Sequence, residues 1–574
     1  MSTFSSPLFR SALFFLLAPL LVLLLVRTDL NQAGGLDAFV YAAYIHDYAD
    51  LVARYGRTYY STRLSHILPN AVAASLFGDY AGYYLVRYLL LVTAMVSIHT
   101  IARRYVTTPA AWFVTLFFST HVWLLREVFW DHYDGSVVVF ALAGVALLQP
   151  RSKETLAHAG AGFAFAWAAN GNPMGLLIAA TFIPTWLMDR RNIPWRELLR
   201  SVSAAGAGFL FGYSVLIFAM TRLYPDGGWR FDEVTLSMLS YLLTGGGTNW
   251  FKSLKTILLD LGIYETLIFP FFLGISVCGL LAGLRGSVAD RRNVIGAAIF
   301  IALTTAVFAI FHFILQWGLL SLHFYLIYAL PACLVATSAF IGQLRPEVGA
   351  PRIAIVAAIF LVFHFAFWFS IQSPFPVDQE IASLLRPLAL SMIVVAFISM
   401  GWLAVVIARQ NRTLTPAILF LVALFSSNAF FLHSGYARLY SDTNERQLEW
   451  DVRDGSLYLQ RFVAAHVPTK SRIWFWYGPR DKFLNSVQSA HLWGFSRLSS
   501  PALSDAQMPV IDGGVRERLG AAQYLAILGT DTEIDQALGA LENAGIGARL
   551  LSRGEFHGQQ WPGYRVVLVA LKSQ

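Results

Sequence analysis

Charge is scarce in this chain. Only 13% of its 574 residues are Asp, Glu, Lys or Arg, while 56% are hydrophobic and the mean hydropathy is +0.56. An ordinary soluble domain carries roughly 25% charged residues, so the composition excludes one and predicts a polytopic membrane protein. Cysteine is nearly absent: Cys278 and Cys333 both lie in apolar segments, which excludes a disulfide framework. Internal repeats and low-complexity tracts are missing too, which argues against a solenoid or a linker-rich chain. The cores of the apolar runs hold no Asp, Glu or Lys, only the isolated His99, His121, His158, His312 and His364. Ion-coupled transport needs ligands at mid-membrane depth, so this absence speaks against a transporter. The net charge of +8 does not point to nucleic acid, because the arginines are scattered through short loops.

Measured against the ~20 residues that cross a bilayer, the apolar runs predict spans near 11–26, 84–101, 109–125, 136–148, 155–170, 174–188, 202–221, 266–284, 294–315, 321–341, 353–371, 388–408 and 415–432. Every second loop is short and basic, including Arg103 with Arg104, Arg190 with Arg191, and Arg291 with Arg292. The positive-inside rule makes these loops cytoplasmic. Residues 27–83, 126–135, 222–265, 372–387 and everything after 432 then fall outside. No small-residue cleavage site closely follows Val26, so the first run is read as an uncleaved anchor. The division is a transmembrane domain over 1–432 and an α/β domain over 433–574. In the latter, "RIWFWYG" (472–478), "QYLAILG" (523–529) and "YRVVLVALK" (564–572) read as strands, and "DTEIDQALGALENAG" (531–545) as a helix.

Acids collect on the outer side. In the first outer loop Asp37, Tyr41, Tyr44, Tyr48, Leu51 and Tyr55 recur at helical steps and share one stripe, while His46, Asp50 and Arg54 face elsewhere. Tyrosine favours the headgroup level, so the segment reads as an amphipathic helix along the interface. Asp37 stands near its start, as a helix cap or as a reactive acid. The second loop, "REVFWDHYDG", crowds Glu127, Asp131 and Asp134 together. Those carboxylates are either solvated or compensated by Arg126, a polar substrate or a divalent metal. In the long loop 222–265, "TGGGTNWF" (244–251) suits either a mobile cover or a plain linker.

An N-terminal span, an acid opening an aromatic amphipathic helix, a second acidic outer loop, about 13 spans and an α/β tail together resemble the GT-C superfamily of integral membrane glycosyltransferases. The stretch "DAFVYAAYIHDYADLVARYGRTYYSTRLSHILP" (37–69) is similar to the pattern of its bacterial aminoarabinose, mannosyl and arabinosyl transferases. The likeness implies a GT-C-like helical membrane fold with an extracytoplasmic α/β domain, in the inner membrane of a bacterium. Asp37 matches the first-loop catalytic acid of that pattern, and Asp131 or Asp134 the second. If a divalent cation, Mg or Mn, is used, those three acids are its implied ligands; otherwise no cofactor is needed. "WFWYGPRD" (474–481) matches the oligosaccharyltransferase tail signature only superficially, and "LQWGLLSLHFY" lacks the further glutamate of that branch. Where many bacterial members carry an arginine, this chain has His323, Tyr325 and Pro331.

The implied reaction moves a sugar from a polyprenyl-phosphate donor to a hydroxyl of an envelope glycan, lipid or protein, with inversion. Asp37 would act as general base. Arg57, Arg63, His66 and Lys252 are candidates to hold the phosphate, with Tyr41, Tyr44, His323 and Tyr325 as further substrate contacts. The alternative is a non-catalytic flippase of lipid-linked glycans, or an assembly partner that kept the architecture.

Overall fold

The computed structural model describes residues 7–25, 41, 44–45, 48, 52, 60–129, 133–149, 155–223, 276, 280, 288–317, 319–320, 323–343, 458, 462–463, 465–468, 473–476, 523–556 and 563–571. Contacts divide the chain into two units. The first comprises Met1–Thr28, Thr62–Pro69 and Tyr83–Leu439; the second comprises Asp29–Ser61, Asn70–Gly82 and Tyr440–Gln574.

The first unit is helical. Its described helices are α1 (Pro7–Leu25), α2 (Leu64–Phe77, running on into the second unit), α3 (Asp79–Arg103), α4 (Thr108–Ser119), α5 (Val122–Phe129), α6 (Tyr133–Leu148), α7 (Thr155–Gly171), α8 (Met174–Arg190), α9 (Trp195–Leu223), α10 (Val288–Ala309) and α11 (Leu330–Gly342). A π-helical turn, Ile310–Ile314, extends α10, and a 3-10 segment, His323–Ala329, leads into α11. Among the described residues four stretches are long and apolar enough to cross a membrane: Ala81–Arg103, Trp195–Arg222, Arg291–Ile314 and Tyr325–Gly342. Leu210, Phe211 and Phe218 of α9 are exposed, as expected of a surface that meets lipid rather than water. Within the bundle α7 packs against α6 and α9, and α8 against α10.

Two boundaries differ from the sequence expectation. The run 109–125 is two helices, broken at Thr120–His121. The Thr120 hydroxyl donates back to Leu116 O at 2.6 Å, and His121 Nδ1 accepts from Trp123 N at 3.3 Å, so one side chain closes α4 and the other opens α5. The segment 126–135 is therefore not an open loop. Glu127 lies in α5 and Asp134 in the first turn of α6, and both are fully buried, which leaves compensated rather than solvated charge for these two; Asp131 lies outside the described residues. Gly135 permits this hairpin, since a Cβ there would collide with the Glu127 carbonyl. The search for Asp, Glu and Lys in the spans also passes over Arg87, fully buried in α3 with its guanidinium carbon 4.2 Å from the Tyr83 ring centroid. The expected spans at 353–371, 388–408 and 415–432 lie outside the described residues, as does most of 266–284.

In the second unit Tyr41, Tyr44, Tyr48 and Val52 are helical and buried, so the three described tyrosines of the predicted stripe pack inward; Asp37, Leu51 and Tyr55 lie outside the described residues. The Tyr41 and Tyr60 rings meet at 5.4 Å, and the Tyr48 hydroxyl donates to Ser61 O at 2.7 Å. The tail forms a four-stranded sheet in the order β1-β2-β4-β3, from β1 (Ile473–Trp476), β2 (Tyr524–Gly529), β3 (Ala548–Phe556) and β4 (Tyr564–Leu571). β1 runs parallel to β2; the other neighbours are antiparallel. Helix α12 (Asp531–Asn543) covers one face, burying Ile534, Ala537 and Leu541 against Leu525, Ile527, Val567 and Val569. It starts with a capping box, in which Thr530 N donates to Glu533 Oε2 at 2.7 Å. Strand β3, "ARLLSRGEF", is the one element of this sheet the pattern missed; it lies at the sheet edge, with a register shift at Leu550/Ser552.

Candidate functional site

One set of buried polar side chains of the first unit gathers at the Asp134 end of α6. Asp134 opens α6, where a negative charge complements the helix N-terminus. Its Oδ1 accepts from the Tyr328 hydroxyl of the 3-10 segment and from Asn172 Nδ2 at 3.2 Å. Asn172 lies between α7 and α8, and its Oδ1 accepts from Met174 N at 3.0 Å.

The second limb is the turn that starts α2. Arg63 and His66 are both buried, Arg63 with 4% and His66 with 1% of its surface exposed. The Arg63 guanidinium lies 5.0 Å from the Tyr133 ring centroid, and its Nη1 donates to Asn170 O at 3.2 Å. His66 Nδ1 is 3.1 Å from Ser136 Oγ, one turn into α6. Asn170 closes the arrangement: its Oδ1 accepts from Ser65 N at 2.8 Å and its Nδ2 donates to Thr62 O at 3.1 Å. Gly171 is required between the two asparagines, because a Cβ there would enter the Val137 side chain and stand 3.1 Å from Ser65 Oγ.

The fold thus unites Arg63, His66 and Asp134, which sequence reading singled out separately. Tyr325 belongs to the same 3-10 segment as Tyr328, the two ring centroids 6.2 Å apart. His323 opens that segment. Tyr41 and Tyr44 belong to the second unit. Asp37, Asp131, Arg57 and Lys252 lie outside the described residues. Tyr328, Ser136, Asn170 and Asn172 were missed. The one advance signal for the asparagines was "ANGNP", a turn signature between two apolar runs, which says nothing of what their amides bind.

Among the described residues no group of three His, Cys, Asp or Glu side chains could hold a metal ion. Of the three acids named for that role only Asp134 is described, and its Oδ1 accepts two hydrogen bonds.

A chain of this helical build has counterparts among solved structures. Its likeness to ArnT from Cupriavidus metallidurans bound to undecaprenyl phosphate covers 98% of both chains, at 15% identity and a TM-score of 0.60. The apo state of the same protein gives 0.52 at the same identity and coverage. The apo oligosaccharyltransferase of Archaeoglobus fulgidus gives 0.38 at 10% identity, over 99% of this chain and 76% of that one. No family profile and no curated protein sequence matches the chain. At these identities the likeness establishes the fold.

Proposed function

We propose that this chain is a glycosyltransferase that moves a sugar from a polyprenyl-phosphate donor to a hydroxyl of an envelope glycan, lipid or protein. The reaction takes place at the outer face of a bacterial inner membrane, with the α/β tail on the same side. One observation carries the reading. In a fold shared over 98% of both chains with a protein bound to undecaprenyl phosphate, the start of one helix carries a buried carboxylate, Asp134, with the Arg63 guanidinium over its Tyr133 and His66 beside its Ser136.

The arginine and histidine suit the donor phosphate. A guanidinium offers its N–H donors in a fixed fork that matches phosphate, and Asn170 O fixes where the Arg63 fork points. His66 lies one helical turn further along α2. Arg57, Lys252, His323, Tyr325, Tyr41 and Tyr44 complete the substrate contacts in this reading. The acceptor oxygen attacks C1 of the sugar as the bond from C1 to the phosphate oxygen breaks, with inversion. Asp37 takes the acceptor proton, while the phosphate leaves as a monoester whose second pKa near ~6 makes a strong general acid unnecessary. Asp134, at the start of α6, or Asp131 is the second acid at the reacting centre. No step runs through a divalent cation.

The test is transfer of label from undecaprenyl-phosphate sugars by the purified full-length protein. Labelled acceptor is the expected result, and Arg63→Gln should raise the donor KM about tenfold, the value of a charge-assisted hydrogen bond. Translocation of lipid-linked sugar across vesicles with no transfer would overturn the reading and favour a flippase.

A further inference from the structure

Asn170 and Gly171 end α7 and Asn172 follows them, and the two asparagines bind both limbs of the site. Each amide is held in one orientation by groups that cannot reverse their role. For Asn170, Ser65 N–H can only donate and Thr62 C=O can only accept, so Oδ1 must face the first and Nδ2 the second. The backbone oxygen of the same residue takes Arg63 Nη1. Residues 62, 63 and 65 are therefore bracketed by one asparagine. For Asn172, the Met174 N–H takes Oδ1, which leaves Nδ2 directed at Asp134 Oδ1. Tyr328 binds that same carboxylate oxygen from the far side of the bundle interior. Gly171 sits so close to Val137 that neither asparagine can draw back from α6.

Neither contact pattern survives chemical change. An Asp at 170 would set a carboxylate oxygen against the Thr62 carbonyl, and an Asp at 172 would set one against Asp134. An apolar residue at 170 would leave two buried backbone groups without partners. The pattern is also more than helix termination requires, since a cap at α8 needs only the bond to Met174 N.

We propose that Asn170 and Asn172 are positioning residues for sugar transfer. Asn170 sets the Arg63 fork for the donor phosphate, Asn172 sets the Asp134 carboxylate, and the turn between them fixes one relative to the other. This role rests on the glycosyltransferase reading. It separates binding from turnover: Asn170 acts through the phosphate site, and Asn172 through the acidic end of α6.

The experiment uses the full-length purified protein and two readouts, the shift in unfolding midpoint caused by undecaprenyl phosphate and the rate of sugar transfer from its labelled derivatives. Asn170→Asp should weaken the apparent affinity for undecaprenyl phosphate about tenfold, with the unliganded midpoint within about 3 °C of wild type. Asn172→Asp should lower kcat about tenfold or more and leave that affinity unchanged. Asn170→Ser, which keeps an acceptor for Ser65 N but gives up the donor to Thr62, should still weaken affinity and serves if the Asp variant does not fold. Folded variants with wild-type affinity and kcat overturn the positioning role alone. Failure of all three variants to fold overturns it too, since the asparagines would then hold the bundle and not the site. A wild type that neither transfers sugar nor responds to undecaprenyl phosphate overturns the glycosyltransferase reading, and this role with it.

Discussion

At the Asp134 end of α6, α7 and α8 the buried polar groups are a carboxylate and its donors, whereas at the Leu148 end, about 21 Å away along α6, they are cations around a helix carbonyl. There, Trp186 Nε1 and Arg190 Nη2 each donate to Leu148 O at 3.0 Å, and Arg190 Nη2 lies 3.1 Å from His158 Nε2. Arg104 pairs with Asp189 beside them. The two bonds to Leu148 O answer a need of helix ends: an orphan carbonyl finds donors, and the positive charge of Arg190 sits at a C-terminus where the dipole favours it. Helix termination explains these contacts. At the opposite end it explains Asp134 at the start of α6 and the Asn172 bond to Met174 N, but not Arg63 buried beside Tyr133, nor Tyr328 reaching the same carboxylate. The surplus marks where chemistry is proposed to occur. The arginine-rich end is the one that the positive-inside rule assigned to the cytoplasm.

Substitutions at the two ends should behave differently. Asp134→Ala leaves the Tyr328 hydroxyl and the Asn172 amide without that acceptor, and transfer should fall at least about 100-fold, read as rate per folded molecule. Arg190→Leu removes a donor from Leu148 O and should lower stability by about 1–3 kcal/mol; denaturation and transfer measured together should show kcat per folded molecule within about twofold of wild type. Equal losses of kcat at both ends would break the distinction between them. The smallest effect belongs to Tyr105, beyond the end of α3, whose phenol burial pushes up to about 12 from an ordinary 10.0. A raised folded value adds stability that is complete below pH 10.0 and is lost as pH rises through about 12. The unfolding midpoint should therefore drop across that window, and Tyr105→Phe should flatten the drop.

Much of the architecture was legible because it rests on local pattern. Apolar runs of the right length gave α3, α9 and α10, the short runs "QYLAILG" and "YRVVLVALK" gave β2 and β4, and "DTEIDQALGALENAG" gave α12. The misses follow from forces that act at a distance. Strand β3 carries Arg549, Arg553 and Glu555 at a sheet edge, where polar residues are tolerated and alternation fades. The break at Thr120–His121 depends on side chains capping a backbone, which hydropathy does not register. Arg63, His66 and Asp134 were visible as residue types, but their meeting depends on Asn170 and Asn172, more than a hundred residues from Arg63 and nearly forty from Asp134. A turn signature cannot reveal such partners.

The most direct measurement of the central claim compares wild type with Asp37→Asn in transfer of labelled sugar from an undecaprenyl-phosphate donor, at matched amounts of folded protein. The account predicts transfer by wild type and a loss of about 10²–10⁴-fold in the variant, the usual worth of a general base, with binding of undecaprenyl phosphate retained. An Asp37→Asn protein that transfers sugar at the wild-type rate would contradict it.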